Sequence, residues 1–421
     1  MLLSCLSYPS CYYNVNASLC CPTDICDIVR AAPSSICSEQ ACFQKEIHSS
    51  SYSEVSNKDK MKGPSLQTET LNEESGGRMK YFSAYHQVEI WGKAAIGLYL
   101  WSHIINGRLE KVQGGLVQHG NLTIDNIVFT FRTGPGIIPS TVPNDVKHLV
   151  LVLNGRSQEK IDAATLWLNY LPTYKYLQKL AVVLLGNEEC NNDWILTYMK
   201  SRGGRIDVVF VVYDSRLVDN VEFFQWPLGV AVYRGFPVIN PQHVDVTSAR
   251  SYLCNFLGTI YVNSSRLTLL DIVKASAYHD KCIINGRKVW PPAETTESLN
   301  TYMKSLLNSD LTLSPVGKNS ECYRIYEAMS LGSVPVVEDV ITPGNCDASS
   351  TSPLRLLKYY NAPLIYVKDW HDLPQILLRE ARLTREEKVK RRIAVIEWYS
   401  KFKRDLRSTF LNVIQKTFFN K

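Results

Sequence analysis

Apolar positions are distributed unevenly along this chain. Through residues 1–78 they are sparse. The stretch Ser49 to Arg78 (SSSYSEVSNKDKMKGPSLQTETLNEESGGR) offers too little apolar surface to offset the entropy of ordering it. Residues 1–78 are therefore expected to be a disordered Cys/Ser-rich tail or stem. From about Tyr81 the pattern changes. The run Val88 to Ile105 predicts a helix, and NLTIDNIVFTFRTG predicts a β-rich patch. Continuous β-branched runs then alternate with helical spacing. HLVLVL (148–153), LAVVLL (180–185) and DVVFVVY (207–213) read as buried strands. The segments 159–170 and 193–200 read as helices between them. This pattern predicts a doubly wound parallel sheet.

A Pro-rich passage, QWPLGVAVYRGFPVINPQ, reads as a link, and a second α/β set begins at Tyr252. Strands are expected at 252–258, 281–285 and 364–367, with helices after Ser264 and over 297–307. A long helix over 384–418 closes the chain. The expected fold class is α/β: two Rossmann-like lobes, residues 79–242 and 243–380, with a cleft between them and a basic C-terminal helix over 381–421.

One segment carries the densest candidate chemistry: SDLTLSPVGKNSECYRIYEAMSLGSVPVVED, Ser309 to Asp339. It reads strand, turn, helix, strand. Gly317 lies in the turn, Ser320 or Asn319 is the expected N-cap, and Gly332 is the expected stop. On a helix starting near Glu321, Ser320, Arg324 and Glu327 share one face. A helix N-terminus at the carboxyl end of a parallel strand suits an anion. Arg324 adds a bidentate phosphate contact, and Glu327 accepts from sugar hydroxyls. The same residues also fit a solvated polar face on an ordinary helix. Gly258 ends a strand nearby. Arg266 beyond it suits a phosphate contact or a structural ion pair. Glu338 and Asp339 suit sugar hydroxyls or a loop cap.

Four loops end strands of the first half: 154–156, 186–189, 214–216 and 226–229. A transferase that releases a nucleotide needs a general base for the acceptor hydroxyl. Asp214 and Glu189 are the candidates, and each also fits a cap or turn role.

The net charge is +6 over 421 residues. Between Arg379 and Arg407 lie eleven basic and five acidic residues, which is the whole excess. That places the charge on one terminal helix, either holding a phosphorylated acceptor or forming a solvated face with i,i+4 pairs. It is not a nucleic-acid-binding composition. The P-loop, G-x-S-x-G and H-E-x-x-H motifs are absent, as is Asp-x-Asp, so no metal site is expected. Seven of the twelve cysteines fall in the first 42 residues, without zinc-knuckle spacing. The remaining five leave one or two disulfides open. Sequons stand at Asn16, Asn121 and Asn263.

The helix string ECYRIYEAMSLGSVPVVED resembles the R-x-x-E-A-x-x-x-G-x-x-P-V signature of the exostosin-like glycosyltransferases. WGKAAIGLYLW, VVLLGNEEC, FQWPLGVAVYR and YLCNFLGTIYVNSSR are similar to the xylosyltransferases of that group. The resemblance runs from about Tyr85 to the C-terminus. It implies a GT-B fold and inverting transfer of xylose from UDP-xylose to ribitol 5-phosphate, giving a β1,4 linkage on the O-mannosyl glycan of alpha-dystroglycan. It implies that Arg324 contacts the diphosphate and Glu327 the ribose, and it adds fukutin and fukutin-related protein as partners. It also implies a Golgi type II protein glycosylated at Asn121 and Asn263. No membrane anchor is visible, since the Cys- and Ser-rich residues 1–78 stand where the family carries one. The alternatives are a related transferase using another UDP-sugar, and a non-catalytic scaffold of the same pathway.

Overall fold

The computed structural model describes residues 85–289 and 293–420. The expected tail and the Asn16 sequon lie outside the described residues. Two sheets organise the rest. The first has eight strands in the order β2-β3-β4-β1-β5-β6-β7-β8. These are β1 (His86–Gly92), β2 (Glu110–Val112), β3 (Val117–Ile124), β4 (Ile127–Thr133), β5 (His148–Asn154), β6 (Lys179–Leu185), β7 (Val208–Val212) and β8 (Phe223–Trp226). From β4 through β1 to β8 every neighbouring pair is parallel, whereas β2-β3-β4 is an antiparallel edge. The central strands are buried on both faces, which is why they read as unbroken apolar runs. Alternate residues split between two cores. Val150, Val183 and Phe210 face one, and Leu151, Val182 and Val209 face the other.

The single helix expected over 88–105 is a correction. Residues 86–92 are β1, pairing with both β4 and β5. Gly92 passes so close to β5 that an added Cβ would lie 2.1 Å from the Val152 carbonyl oxygen. Only then does the chain coil, as α1 (Ala95–Leu98) running into a π-helical turn, Tyr99–Ile104. The apolar run was a strand and a helix joined at exposed Lys93. The helix expected over 193–200 is a 3₁₀ segment, Asp193–Tyr198.

The second sheet is wholly parallel, in the order β10-β9-β11-β12-β13. Its strands are β9 (Tyr252–Thr259), β10 (Cys282–Arg287), β11 (Ser309–Ser314), β12 (Val334–Glu338) and β13 (Ile365–Val367). A disulfide joins the register partners Cys254 and Cys282 of β9 and β10. The helices of this half are α3 (Ser265–Ala275), α4 (Thr296–Leu307), α5 (Tyr323–Ser330), α6 (Arg355–Tyr359) and α7 (Leu373–Arg382), while α2 (Gln158–Tyr170) packs on the first sheet.

The terminal helix α8 (Arg385–Phe418) opens with a capping box between Thr384 and Glu387. It buries Arg392, Val395, Ile396, Tyr399, Phe402, Leu406, Phe410, Ile414 and Phe418, a stripe at i+3/i+4 spacing. Its first turns belong to the second sheet's side, where Arg392 bonds the Val246 and Ser248 carbonyls and pairs with Asp310. Its last turns belong to the first sheet's side, where Phe410 packs on Phe129, Phe210 and Trp226. The helix therefore straps both sheets into one core. Its basic residues Lys388 and Arg391 are used in ion pairs with Asp310 and Glu380.

The carboxyl ends of the two sheets are fastened to each other. Cys190, after β6, is disulfide-bonded to Cys346, after β12. Beside that bond, Asn345 N–H donates to the Glu189 carbonyl (2.7 Å) and Asp347 N–H to the Asp214 carbonyl (2.8 Å). A disulfide closing so long a loop stabilises mainly by restricting the unfolded chain. Replacing both Cys190 and Cys346 with Ser is expected to lower unfolding free energy by about 2–4 kcal/mol, read as a shift of the urea midpoint.

Candidate functional site

The helix of the densest motif begins later than its sequence suggests. α5 starts at Tyr323, with Cys322 in the extended N-cap position. Ser320 is not its cap, because its hydroxyl donates to the Val340 carbonyl at 2.7 Å. Asn319 Oδ1 accepts from Glu321 N–H in a local turn, while its amide nitrogen donates to the Glu188 carbonyl at 2.8 Å. Short polar side chains bond the backbone two residues on and so delay the helix. Arg324 and Glu327 remain one turn apart on α5, and Ser320 is separated from them.

Arg324 and Arg266 form the cationic wall of the site. Arg324 lies over the Phe256 ring at 4.8 Å and donates to the Leu257 carbonyl at 3.0 Å. Arg266, from the first turn of α3, donates to the Thr259 carbonyl at 2.8 Å and lies 5.6 Å from the Tyr261 ring centre. Both anchors are carbonyls near the carboxyl end of β9. Two glycines make room for these guanidiniums. A Cβ on Gly258 would lie 2.8 Å from an Arg324 nitrogen, and one on Gly317 would lie 2.8 Å from an Arg266 nitrogen. The Nε of each arginine is buried without a hydrogen-bond partner. Among the described residues no carboxylate forms a salt bridge with either. Burial, and then the charge of Arg324, holds Arg266 below its ordinary pKa. Two cations are thus held together with no carboxylate in salt-bridge contact, an arrangement that an anion joining them would relieve.

The facing wall comes from loops of the first sheet. After β5, Arg156 pairs with Glu188 at 2.6 Å, each side chain about one-third exposed. After β7, Tyr213 is buried, with its backbone in the left-handed region at φ 71°. Tyr233, beyond β8, faces Tyr323 of α5, with ring centres 5.8 Å apart.

Other expected site residues take different places. Asp214 is buried between loops of the two sheets. Its carboxylate accepts from the Gln225 amide (2.6 Å), Leu354 N–H (2.6 Å) and Arg355 N–H (3.2 Å). It is a fastener with its acceptor capacity spent, and burial raises its pKa. Glu189 is half-exposed and turned toward Lys318, 3.9 Å away. Glu327 is buried with both oxygens engaged, one by Ala231 N–H (3.0 Å) and one by the Tyr302 hydroxyl (2.6 Å). Glu338 accepts from Val316 N–H and the Ser265 hydroxyl, tying the α3 tip to the loop after β11. Asp339 pairs with Lys358 and Lys368. Asn121 and Asn263 are both exposed.

Sequence reasoning passed over Glu188, Tyr233 and Tyr323. Glu188 and Glu189 are adjacent, and only the turn around Asn187, whose Oδ1 accepts from Glu189 N–H, decides which one faces inward.

The geometry defines an α/β protein with two parallel-rich sheets and a long C-terminal helix, in which loops at the carboxyl ends of the two sheets are joined and two arginines stand at the end of β9. Residues 88–227 match the family model described as RXYLT1 N-terminal domain, and residues 233–419 match RXYLT1 C-terminal domain. Ribitol-5-phosphate xylosyltransferase 1 of Danio rerio is 49% identical over 338 residues, covering 79% of this chain and 78% of that protein. The Homo sapiens protein of the same name is 48% identical over 338 residues, covering 79% and 76%. The Mus musculus protein is 47% identical over 342 residues, covering 79% and 77%. This chain belongs to the ribitol-5-phosphate xylosyltransferase 1 (RXYLT1) family. The two disulfides among the described residues fit an oxidising compartment. No helix among them is long and apolar enough to cross a membrane.

Glu321 yields a stability prediction. It is buried where α5 meets the linker, accepting from Leu228 N–H (2.7 Å) and the Tyr326 hydroxyl. Burial pushes its pKa up to about 7. Between the unfolded and folded pKa the native state holds a proton that the unfolded chain has lost, so stability falls as pH rises from about 5 and levels off above about 7. Compared with Glu321→Gln, the wild type is expected to lose on the order of 3 kcal/mol between pH 5 and pH 8. Urea midpoints of both proteins across that range measure the difference.

Proposed function

We propose that this chain transfers xylose from UDP-xylose to ribitol 5-phosphate, with inversion at the anomeric carbon and a β1,4 linkage. The acceptor is carried on the O-mannosyl glycan of alpha-dystroglycan. In this reading the architecture is GT-B: residues 79–242 present the acceptor and residues 243–380 hold the donor. The work is done in the Golgi lumen by a type II membrane protein, glycosylated at Asn121 and Asn263, beside fukutin and fukutin-related protein.

One observation carries the reading: the adjacent Arg266 and Arg324 guanidiniums, seated by Gly317 and Gly258, with no carboxylate paired to them. A diphosphate is the ligand that suits two forked cations held close together. In an inverting transfer the acceptor oxygen attacks C1 while the C1–O bond to UDP breaks, and the leaving diphosphate takes the electron pair. Cations fixed in advance of that step stabilise the charge as it develops. Tyr233 and Tyr323 offer aromatic surface for the base. Glu327 acts indirectly in this reading, holding Tyr302 and the linker at Ala231.

Calorimetry with UDP, and turnover of UDP-xylose with a synthetic ribitol-phosphate acceptor, test the proposal. Arg324→Ala is expected to weaken UDP binding about 10- to 100-fold, the loss of one or two charge-assisted hydrogen bonds, with the fold intact. Unchanged UDP affinity in that variant would sink the assignment. Preference for UDP-glucuronic acid or UDP-N-acetylglucosamine over UDP-xylose would replace the donor. Absence of UDP binding by the wild type would leave a scaffold.

Gly258→Ala tests the same seat without removing a charge. The new methyl meets the end of the Arg324 side chain at 2.8 Å and the edge of the Phe256 ring at 3.2 Å, and not the backbone, so these side chains shift while the sheet stays. A fall of about tenfold in UDP affinity is expected, with a melting temperature close to wild type.

A further inference from the structure

We infer that Glu188 is the general base of the transfer, held in place by Arg156; this rests on the glycosyl-transfer reading above. The carboxylates around the cleft are separated by what already occupies their oxygens. Asp214 is saturated by Gln225, Leu354 and Arg355. Glu321 and Glu327 are buried and bonded to linker amides and tyrosine hydroxyls. Glu338 is buried, with Val316 N–H and the Ser265 hydroxyl both on its Oε2, and Asp339 is paired with two lysines. Glu189 points outward to Lys318.

Glu188 alone combines partial exposure with an unused oxygen. Its Oε1 meets Arg156 at 2.6 Å, and its Oε2 has no hydrogen-bond partner among the described residues. Its position is fixed from both lobes. Asn319 of the second lobe donates to its carbonyl, and Asn187 beside it donates to the Arg156 carbonyl at 3.0 Å. It stands on the first lobe, across from the arginine pair, and its charge acts on Arg266, Tyr213 and Tyr323. A base belongs there, because the acceptor must attack C1 from the side opposite the leaving diphosphate.

The acceptor O–H proton passes to Glu188 Oε2, the acceptor oxygen bonds to C1, and the C1–O bond to the diphosphate breaks with its electron pair leaving on UDP. Arg156 is a positioning residue: its contact to Oε1 holds the carboxylate in place and leaves Oε2 for the acceptor proton. The charged and titratable groups facing Glu188 are Arg156, Tyr213, Tyr323 and Arg266, with Glu189 next in sequence.

The test uses the full chain with UDP-xylose and a ribitol-phosphate acceptor. Glu188→Gln keeps the contact to Arg156 and removes only the base. It is expected to lower kcat at least 100-fold, leave UDP affinity within twofold, and abolish the acidic limb of the kcat–pH profile. Glu188→Asp, which keeps the charge but retracts it, is expected to retain that limb at reduced kcat. Glu188→Gln with kcat within fivefold of wild type, or with its acidic limb intact, overturns the inference and leaves the donor reading standing. Loss of UDP binding in step with kcat in both variants also overturns it, because the residue would then be structural. A wild type that binds UDP but transfers no sugar overturns both readings.

Discussion

The contact between the carboxyl ends of the two sheets is the constraint on which everything else rests. Two separate sheets have no intrinsic reason to hold their loop ends at a fixed distance. Here a disulfide, a buried aspartate and backbone hydrogen bonds join the loops after β6, β7 and β12. The aromatic stripe of α8 closes the same arrangement from behind by packing in the one core that both sheets share. A cross-link at the front and a shared core at the back leave the walls little freedom to part. The spacing between Glu188 on one side and the arginine pair on the other is thereby set before any ligand arrives, and positioning of this kind accounts for a large part of a group-transfer rate.

The electrostatics of the cleft follow from an asymmetry in how charges are satisfied. Nearly every buried carboxylate around it is bonded to amides, hydroxyls or cations. Arg266 and Arg324 are held by carbonyls, aromatic faces and, for Arg324, the Cys322 sulfur, with no salt bridge to a carboxylate among the described residues, and they repel each other. Such an arrangement lowers stability in isolation and is found where a ligand completes it. Gly258 and Gly317 belong to the same design, since a side chain at either would push a guanidinium out of place.

Much of this was legible along the chain. The unbroken apolar runs gave the central strands because parallel strands are covered on both faces. The long helix and its cap were readable from Thr384 and Glu387. Gly258, Arg266, Gly317 and Arg324 were readable as a candidate cluster because they fall at the end of β9 and in the strand-to-helix segments that follow β9 and β11 in an α/β alternation, where ligands collect. The reading failed where a local pattern had two solutions. The run 88–105 has helical content throughout, yet β4 and β5 offered its first half ladder partners. Asp214 follows a strand as a base might, but its surroundings turned it into a fastener.

What the chain by itself determined was the order and type of most of its elements and the cationic character of one loop cluster, because periodicity and turn chemistry act over a few residues. The tertiary structure alone decided which carboxylates were spent and which was left free. Glu188 and Glu189 are chemically identical neighbours. Only the packing of Asn187, Asn319 and Arg156, drawn from loops far apart in sequence, turns one inward and leaves the other in solvent.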